Sequence, residues 1–285
     1  MSLVSRSGTV GKIAYVRPDM SGYWSSEDSI KIVADPSKIR PGYLQAFLRS
    51  QYGVPFLTTA KYGTGIRHLE PANIVGLLVP RFDDDIEHRI HVLTEDAAQL
   101  RASFQSSVVR ATADLFASAG LPELADLSWH DQERDLGFIV GRPLPLSIRA
   151  LNFAPRAQRL LEHLSSVPHR LLGEICANGK LGSGVRFKRI AADQEHGVRL
   201  IGQRQGFWLR PDGRWISSRH APIGIFADNE TVMVAAQGTL GENEVFCRSI
   251  FVTGRWLDFA YTQHFLRVVS GLEEFPGAYL YAFWV

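Results

Sequence analysis

Three kinds of hydrophobic patterning follow one another along the chain. In the first 80 residues Lys12-Ile13-Ala14-Tyr15-Val16 and Ser29-Ile30-Lys31-Ile32-Val33 repeat with period two, which predicts two strands with one buried face each. Pro36 and Pro41 frame a turn. Tyr43, Leu44, Phe47 and Leu48 then fall at helical spacing, so a short helix is expected, stopped by Gly53 and Pro55. The Gly-rich stretch KYGTGIRHLEPANIVGLLVP at 61–80 leads through a connecting segment to an apolar run, 75–79, that reads as a final buried strand.

From Ile86 the period changes. Ile86, Ile90, Leu93, Ala97, Leu100, Phe104, Val108, Ala111 and Leu115 are separated mostly by alternating fours and threes, the repeat of a coiled-coil seam sustained over about four heptads. Asp83, Asp84 and Asp85 stand where the dipole of a helix N-terminus favours negative charge, and Gly120-Leu121-Pro122 closes the far end. At ~1.5 Å per residue such a helix is a rod on the order of 50 Å long. A seam that narrow calls for a second helix, from this chain or from another. RAQRLLEHLSS at 156–166, beyond the Pro-rich connector GRPLPLSIRALNFAP, offers a short one, and a partner subunit is the other source.

After Pro168 the pattern returns to β. LLGEI, FKRI, VRLIG, GFWL, RWISS, TVMVAA, EVFC and IFVTG are short alternating or β-branched segments divided by Gly, Asp-Gly and Asn turns. The chain ends on FPGAYLYAFWV, an apolar stretch that solvent would not favour.

Composition narrows the class. With 45% hydrophobic residues in 285, the chain can bury a large core, and no apolar run approaches the ~20 residues that cross a bilayer. No signal-peptide pattern opens the chain, so the cytoplasm is the expected compartment. Cys176 and Cys247 are too few and too far apart for a disulfide framework or a cysteine zinc site, and both read as small core residues. The net charge of +2 conceals two basic blocks around an acidic one: 1–80 carries +4, 81–140 carries −7 and 141–285 carries +5. Such asymmetry permits a polyanion at the ends and a different partner in the middle.

Catalytic motifs are scarce. GTVGK at 8–12 has two residues between its glycines and a strand after it, whereas a P-loop needs four residues and a helix. Gly8 and Gly11 instead suit a tight turn entering a strand. GKLGSG at 179–184 is no dinucleotide fingerprint. His88 and His91 stand at i, i+3 without an H-E-x-x-H arrangement and read as a solvated helix face, and Asp83/Asp84 as helix-start electrostatics. The residues argue against catalysis by this chain and call for no cofactor or metal.

Two echoes run through the sequence. Gly8-Thr9-Val10-Gly11 returns as Gly238-Thr239-Leu240-Gly241, and Pro41-Gly42-Tyr43-Leu44-Gln45-Ala46-Phe47-Leu48 returns as Pro276-Gly277-Ala278-Tyr279-Leu280-Tyr281-Ala282-Phe283, in the same order. That implies duplication with a period near 230 residues. The ordered series G-T-x-G-K, P-x-Y-L-x-x-F-L, Y-G-T-G-I-R-H-L, I-x-x-L-x-x-P and long helix, carried by residues 5–118, resembles the DNA-specificity subunit of type I restriction-modification systems and related methylation-based phage-defence systems. One departure is RFDDD at 81–85, where such proteins usually show a Pro-rich turn and Glu-Gln.

The resemblance implies an α+β protein. Residues 1–81 would be the C-terminal part of a first, mainly-β target-recognition domain, 82–120 a long coiled-coil-like spacer helix, 121–167 a linker with a short helix, and 168–285 the N-terminal part of a second recognition domain. By the family's pattern the front of the first domain and the back of the second are missing. The implied role is non-catalytic recognition of a bipartite site on double-stranded DNA. A DNA methyltransferase subunit, and in some systems a restriction or translocase subunit, would dock on the seam of Ile86, Ile90, Leu93, Leu100, Phe104, Val108 and Leu115. Cations supply phosphate attraction, while arginine and polar groups on loops read base edges. The candidates are Lys61, Tyr62, Arg67 and His68 around the first Gly-rich loop, and Arg186, Lys188, Arg189, Arg204 and Arg214 in the last block. Two alternatives stand beside this. One is a truncated or split-gene remnant acting only as a coiled-coil interaction module; the other is head-to-tail self-association, in which the half-domains of two chains complete each other.

Overall fold

The computed structural model describes residues 1–7, 9–59, 68–121, 139, 153–208, 211–239 and 244–284. It is an α+β structure with one long helix and three small sheets, divided into two compact units, Met1–Val108 and Val109–Val285.

In the first unit β1 (Ser2–Ser5) lies between β2 (Ile13–Tyr15) and β3 (Ser29–Ile32), antiparallel to both. The alternation that predicts β2 and β3 delivers Ile30 to a core shared with Val4, Leu48, Leu57 and Leu69. Helix α1 (Pro41–Leu48) closes this core, with Pro41 at its first position. Gly53 and Pro55, expected to stop that helix, instead form the first turn of α2 (Gly53–Thr59). The Ser50 hydroxyl accepts the Tyr52 and Gly53 N–H groups at 3.2 and 3.1 Å, and a proline in a first turn surrenders no helical bond. Residues 75–79 are not a strand. Pro71, with Glu70 and Asn73 capping each other, starts the single turn α3 (Pro71–Ile74), and the apolar run beyond it meets no strand edge, so Val75 and Leu78 are exposed.

The longest element is α4 (Asp84–Ser118). Glu87, in its first turn, is 1% exposed. Arg81 grips its carboxylate with Nε and Nη2 at 2.8 and 2.9 Å, and the Phe82 N–H donates to Oε1 at 2.9 Å. Arg81 Nη1 also donates to the Lys38 carbonyl at 2.8 Å, and the Tyr43 hydroxyl of α1 donates to the Pro80 carbonyl at 2.5 Å. One turn on, the Gly42 N–H donates to His91 Nδ1 at 3.1 Å, so His91 is packed rather than solvated. A Cβ at position 42 would stand 2.7 Å from the His91 carbonyl oxygen, so only glycine lets α1 approach this closely. At the other end Gly120, at φ +69, permits Leu121 to donate to Phe116 and Gly120 to Ala117, both at 3.0 Å, the paired bonds of a Schellman stop.

The second unit contains α5 (Pro155–Ser165), α6 (Leu172–Ile175), β4 (Lys180–Ser183), β5 (Gly197–Ile201), α7 (Gln203–Gly206), β6 (Arg214–Ser217), β7 (Thr231–Ala235), β8 (Ser249–Val252), β9 (Ala260–Tyr261), β10 (Phe265–Val269) and α8 (Gly277–Trp284). Strands order as β4-β10-β7-β8 and as β6-β5-β9, the β5–β9 pair being parallel. LLGEI is a helical turn because the Glu174 carboxylate reaches back to the Leu171 N–H at 3.3 Å, and FKRI, EVFC and residues 206–208 lie outside the ladders. Cys176 is buried, but Cys247 is exposed, on a turn with φ +65.

The echoes in sequence are echoes in topology. β1 and β2 form a hairpin whose connection carries Gly11, β3 pairs with the other edge of β1, and α1 follows. β7 and β8 form a hairpin whose connection carries Gly238, β10 pairs with the other edge of β7, and α8 follows. Gly11 at φ +87 and Gly238 at φ +145 supply the backbone that these turns require. Gly8 and residues 240–243 lie outside the described residues. The helix after each hairpin carries Y-L-x-A-F, at 43–47 and 279–283, and each touches the long helix within its own unit. For α8 the contacts are Thr112 Oγ1 donating to the Ala282 carbonyl at 3.0 Å and Phe116 against Phe283 at 6.3 Å.

The Arg81 fork, then the Phe82 N–H, hold the Glu87 carboxyl below the usual carboxylate range, with desolvation opposing them. Its contribution to stability is therefore full above that range and disappears as the pH falls through the depressed folded-state value. Thermal melts followed by circular dichroism on acidification check this: Glu87→Gln is expected to melt lower than the parent at neutral pH, with the gap closing in acid.

Candidate nucleic-acid and partner interfaces

The cations expected to meet DNA have distinct surroundings. Lys61, Tyr62 and Arg67 lie outside the described residues. His68 is half-buried and bridges Ser7 as an isolated antiparallel pair. In the connection from β4 to β5 the side chains alternate: Phe187 packs against the core of Leu200, Ile216, Ile225 and Ala260, leaving its neighbours Arg186 and Lys188 exposed. Arg189 is half-buried and donates to Gln263 Oε1 at 3.3 Å. Arg204 is exposed on α7, and Arg214 is exposed on β6 opposite Leu200. Arg186, Lys188 and Arg189 share one segment.

Beneath that segment lies Arg267 of β10, 2% exposed. Its Nη1 donates to the Phe226 carbonyl at 2.8 Å, while Nε and Nη2 have no partner among the described residues. Burial lowers the pKa of this guanidinium, partly offset by Asp228 and Tyr261. A Cβ at Gly184 would stand 3.3 Å from Nη2, so the basic segment begins directly over this buried cation.

Sequence reasoning passes over a second arrangement. The register of β5 and β6 sets Arg199 opposite Trp215, on the face of the pair away from Val198, Leu200 and Ile216. The Arg199 guanidinium lies 4.6 Å from the Trp215 ring centroid, and its Nη1 is 3.3 Å from Asp212 Oδ1 and 3.5 Å from the Pro211 carbonyl. The pair forms one side of a cleft of ≈ 810 Å³ whose lining also includes Arg255, Trp256 and Phe259. Trp256 meets Phe259 edge-on at 5.8 Å, and the Tyr261 hydroxyl, its pKa raised by burial, donates to the Trp256 carbonyl at 2.7 Å. A Cβ at Gly213 would fall 1.9 Å from the Leu200 carbonyl oxygen, so glycine is needed where the chain turns into β6. Arg199 and Trp215 sit inside segments noticed for their β period; cross-strand register, which composition does not contain, brings them together.

The long helix has two working faces. Glu87, Ala98 and Ala102 are buried and His91 and Thr94 half-buried, all facing the first unit, where alanines permit close approach. The expected seam lies one residue away, about 100° around the helix. Leu100 is 71% and Phe104 57% exposed; Ile86 and Leu93 are also exposed, and Ile90, Val108 and Leu115 half-buried. The first unit therefore packs on a face beside the seam.

Among the described residues no group of three or more His, Cys, Asp or Glu side chains is placed to hold a metal ion, and no helix is long and apolar enough to cross a membrane. No protein-family model matches the chain. No curated protein matches it either. Among solved structures it is similar to the S subunit of a type I restriction-modification system from M. genitalium, with 14% identity and a TM-score of 0.35 over 99% of this chain. The match spans 62% of that subunit's length.

The two faces are separable by mutation. Leu100→Glu or Phe104→Glu is expected to leave unfolding free energy within about 0.5 kcal/mol of the parent, as for exposed sites generally. Ala98→Leu, which overpacks the inner face, is expected to cost about 1–3 kcal/mol. Urea unfolding followed by circular dichroism gives all three values.

Proposed function

We propose that this chain is a non-catalytic DNA-recognition subunit of a restriction–methylation complex. In this reading residues 1–81 and 168–285 are parts of two target-recognition domains, 82–120 is the spacer and 121–167 the linker. The observation that carries it is the repeated hairpin–strand–helix topology, set against a long helix whose apolar seam is exposed. A duplicated module suits a bipartite site, and an exposed seam suits a helical partner.

The chemistry divides accordingly. Lys61, Arg67, Arg186, Lys188, Arg204 and Arg214 offer phosphate contacts, and Tyr62, His68 and Arg189 polar or stacking contacts at their margins. Helices of a methyltransferase subunit pack on Ile86, Leu93, Leu100 and Phe104, and the transfer chemistry belongs to that subunit. A restriction or translocase subunit joins the same assembly in systems that cleave. The compartment is the cytoplasm, where the DNA is.

The test begins with co-expression of the chain with a DNA methyltransferase subunit of a restriction–methylation system, followed by selection from random duplexes. The complex is expected to enrich one bipartite sequence, with a log–log salt slope of about −0.9 for each phosphate neutralised. The double variant L100E/F104E, folded by circular dichroism, is expected to lose co-elution with the methyltransferase. Equal affinity for all duplexes overturns the reading.

A further inference from the structure

We infer that Arg199 reads a guanine in the DNA target, with Asp212 and Trp215 as its positioning residues; the inference rests on the DNA-recognition reading. A bidentate contact to guanine N7 and O6 is the most common specific use of arginine in the major groove, and it needs two parallel N–H donors held in one plane. Three features of this side chain meet that requirement.

Its base is fixed. β5 is the central strand of its sheet, paired with β6 on one side and β9 on the other, so the Arg199 backbone has little freedom. Its plane is fixed by the Trp215 ring at 4.6 Å, which removes much of the rotamer freedom of a long cationic side chain. Its rotation is biased by Asp212 Oδ1 at 3.3 Å and the Pro211 carbonyl at 3.5 Å, both on Nη1. No partner among the described residues takes Nε or Nη2, and that edge is a ready two-donor fork. At 29% side-chain exposure it is accessible without being fully solvated.

Among the described arginines of this unit, Arg248 also lies over an aromatic ring, Phe207 at 5.8 Å, but it is exposed and stands outside the strands. Arg267 is buried, Arg189 is engaged by Gln263, and Arg214 projects from the opposite face of the β5–β6 pair, away from Trp215. Arg186 and Lys188 are exposed without an aromatic support, which suits them to phosphate. Asp212 offsets part of the Arg199 charge, so this fork gains less from a phosphate than from a base edge that accepts two hydrogen bonds. Trp215, Trp256 and Phe259 line the cleft together with Arg255 and Asp258, and a wrong base there would leave a donor of Arg199 unpaired.

The experiment uses the chain assembled with its methyltransferase and the sequence that selection enriches. Each guanine is replaced in turn by 7-deazaguanine, which lacks the N7 acceptor, and binding is measured for the parent, Arg199→Ala, Arg199→Lys and Asp212→Asn, with thermal melts as the folding control. At one position the parent is expected to lose roughly ten- to a hundredfold in affinity. Arg199→Ala and Arg199→Lys are expected to lose a similar factor on the unmodified duplex and nothing more when that guanine is modified. Their salt slope is expected to match the parent, since no phosphate contact is removed. Asp212→Asn is expected to weaken binding at the same position to a smaller degree. Free GMP, which offers the same edge, is expected not to compete at concentrations that saturate the duplex; tight GMP binding makes the cleft a nucleotide site and overturns the inference. So does an Arg199→Ala complex that stays sensitive at every guanine, or one that weakens on all sequences alike with a shallower salt slope. A parent complex without any sequence preference overturns the DNA reading itself, and this inference with it.

Discussion

A helix of 35 residues is only as well placed as the contacts that hold its first turns. Here the decisive contact is the carboxylate of Glu87, buried and satisfied by both arms of Arg81 and by the Phe82 N–H. The same arginine reaches the Lys38 carbonyl, and Tyr43 reaches the Pro80 carbonyl, so the segment entering the helix is tied to α1 and to the chain before it. With the first turn in register, His91 meets Gly42 and Ala98 meets the first unit. Burying Glu87 unpaired would be costly, which makes this joint specific as well as attractive. RFDDD, the point at which the sequence departs from the pattern it resembles, is where the joint is built: Arg81 and Phe82 supply its donors, and Asp84 pairs with Arg40 at 2.8 Å.

Local signals with a single physical cause were legible in the sequence. Alternation located β2, β3, β5, β6, β7 and β8, helical spacing located α1, and the three-four repeat located α4, ended by glycine. The remainder depends on competition between signals. LLGEI and the run at 75–79 have strand-like composition, but a capping side chain or Pro71 commits the chain to a helical turn first, and no strand edge is available to the second. β1, β4 and β10 escape because their identity comes from their partners: β10 is central in its sheet and carries the buried Arg267, a residue that hydropathy places on the surface.

The repeat was visible as two short motifs in order, and each copy stands at a matching place in the topology. Gly11 and Gly238 sit in the hairpin connections, and Y-L-x-A-F sits where a short helix must reach the long one. Candidate binding residues were less legible. Counting cations finds Arg186 and Lys188, whose neighbour Phe187 anchors them from below. It does not find Arg199, which becomes distinctive only when register places Trp215 opposite it, nor does it separate Arg214, one residue from that tryptophan and on the other face. The seam was found from its period, but the buried face beside it was not: alanines at 98 and 102 are weak hydrophobic signals, yet both are buried.

Two adjacent faces on one helix make the chain unusually sensitive to reading length. Inserting or deleting one residue between His91 and Ala98 turns everything downstream by about 100°, almost the angle that separates the inner face from the seam. An insertion would carry Leu100 and Phe104 toward the first unit and a deletion would carry the seam as a whole farther from it, and either change would take Ala98 and Ala102 off the inner face. Substitutions can drift independently on either face, whereas changes in length can accumulate only in steps close to whole heptads. Between Glu87 and Ala102 the exposed letters are thus far easier to rewrite than the count is to change.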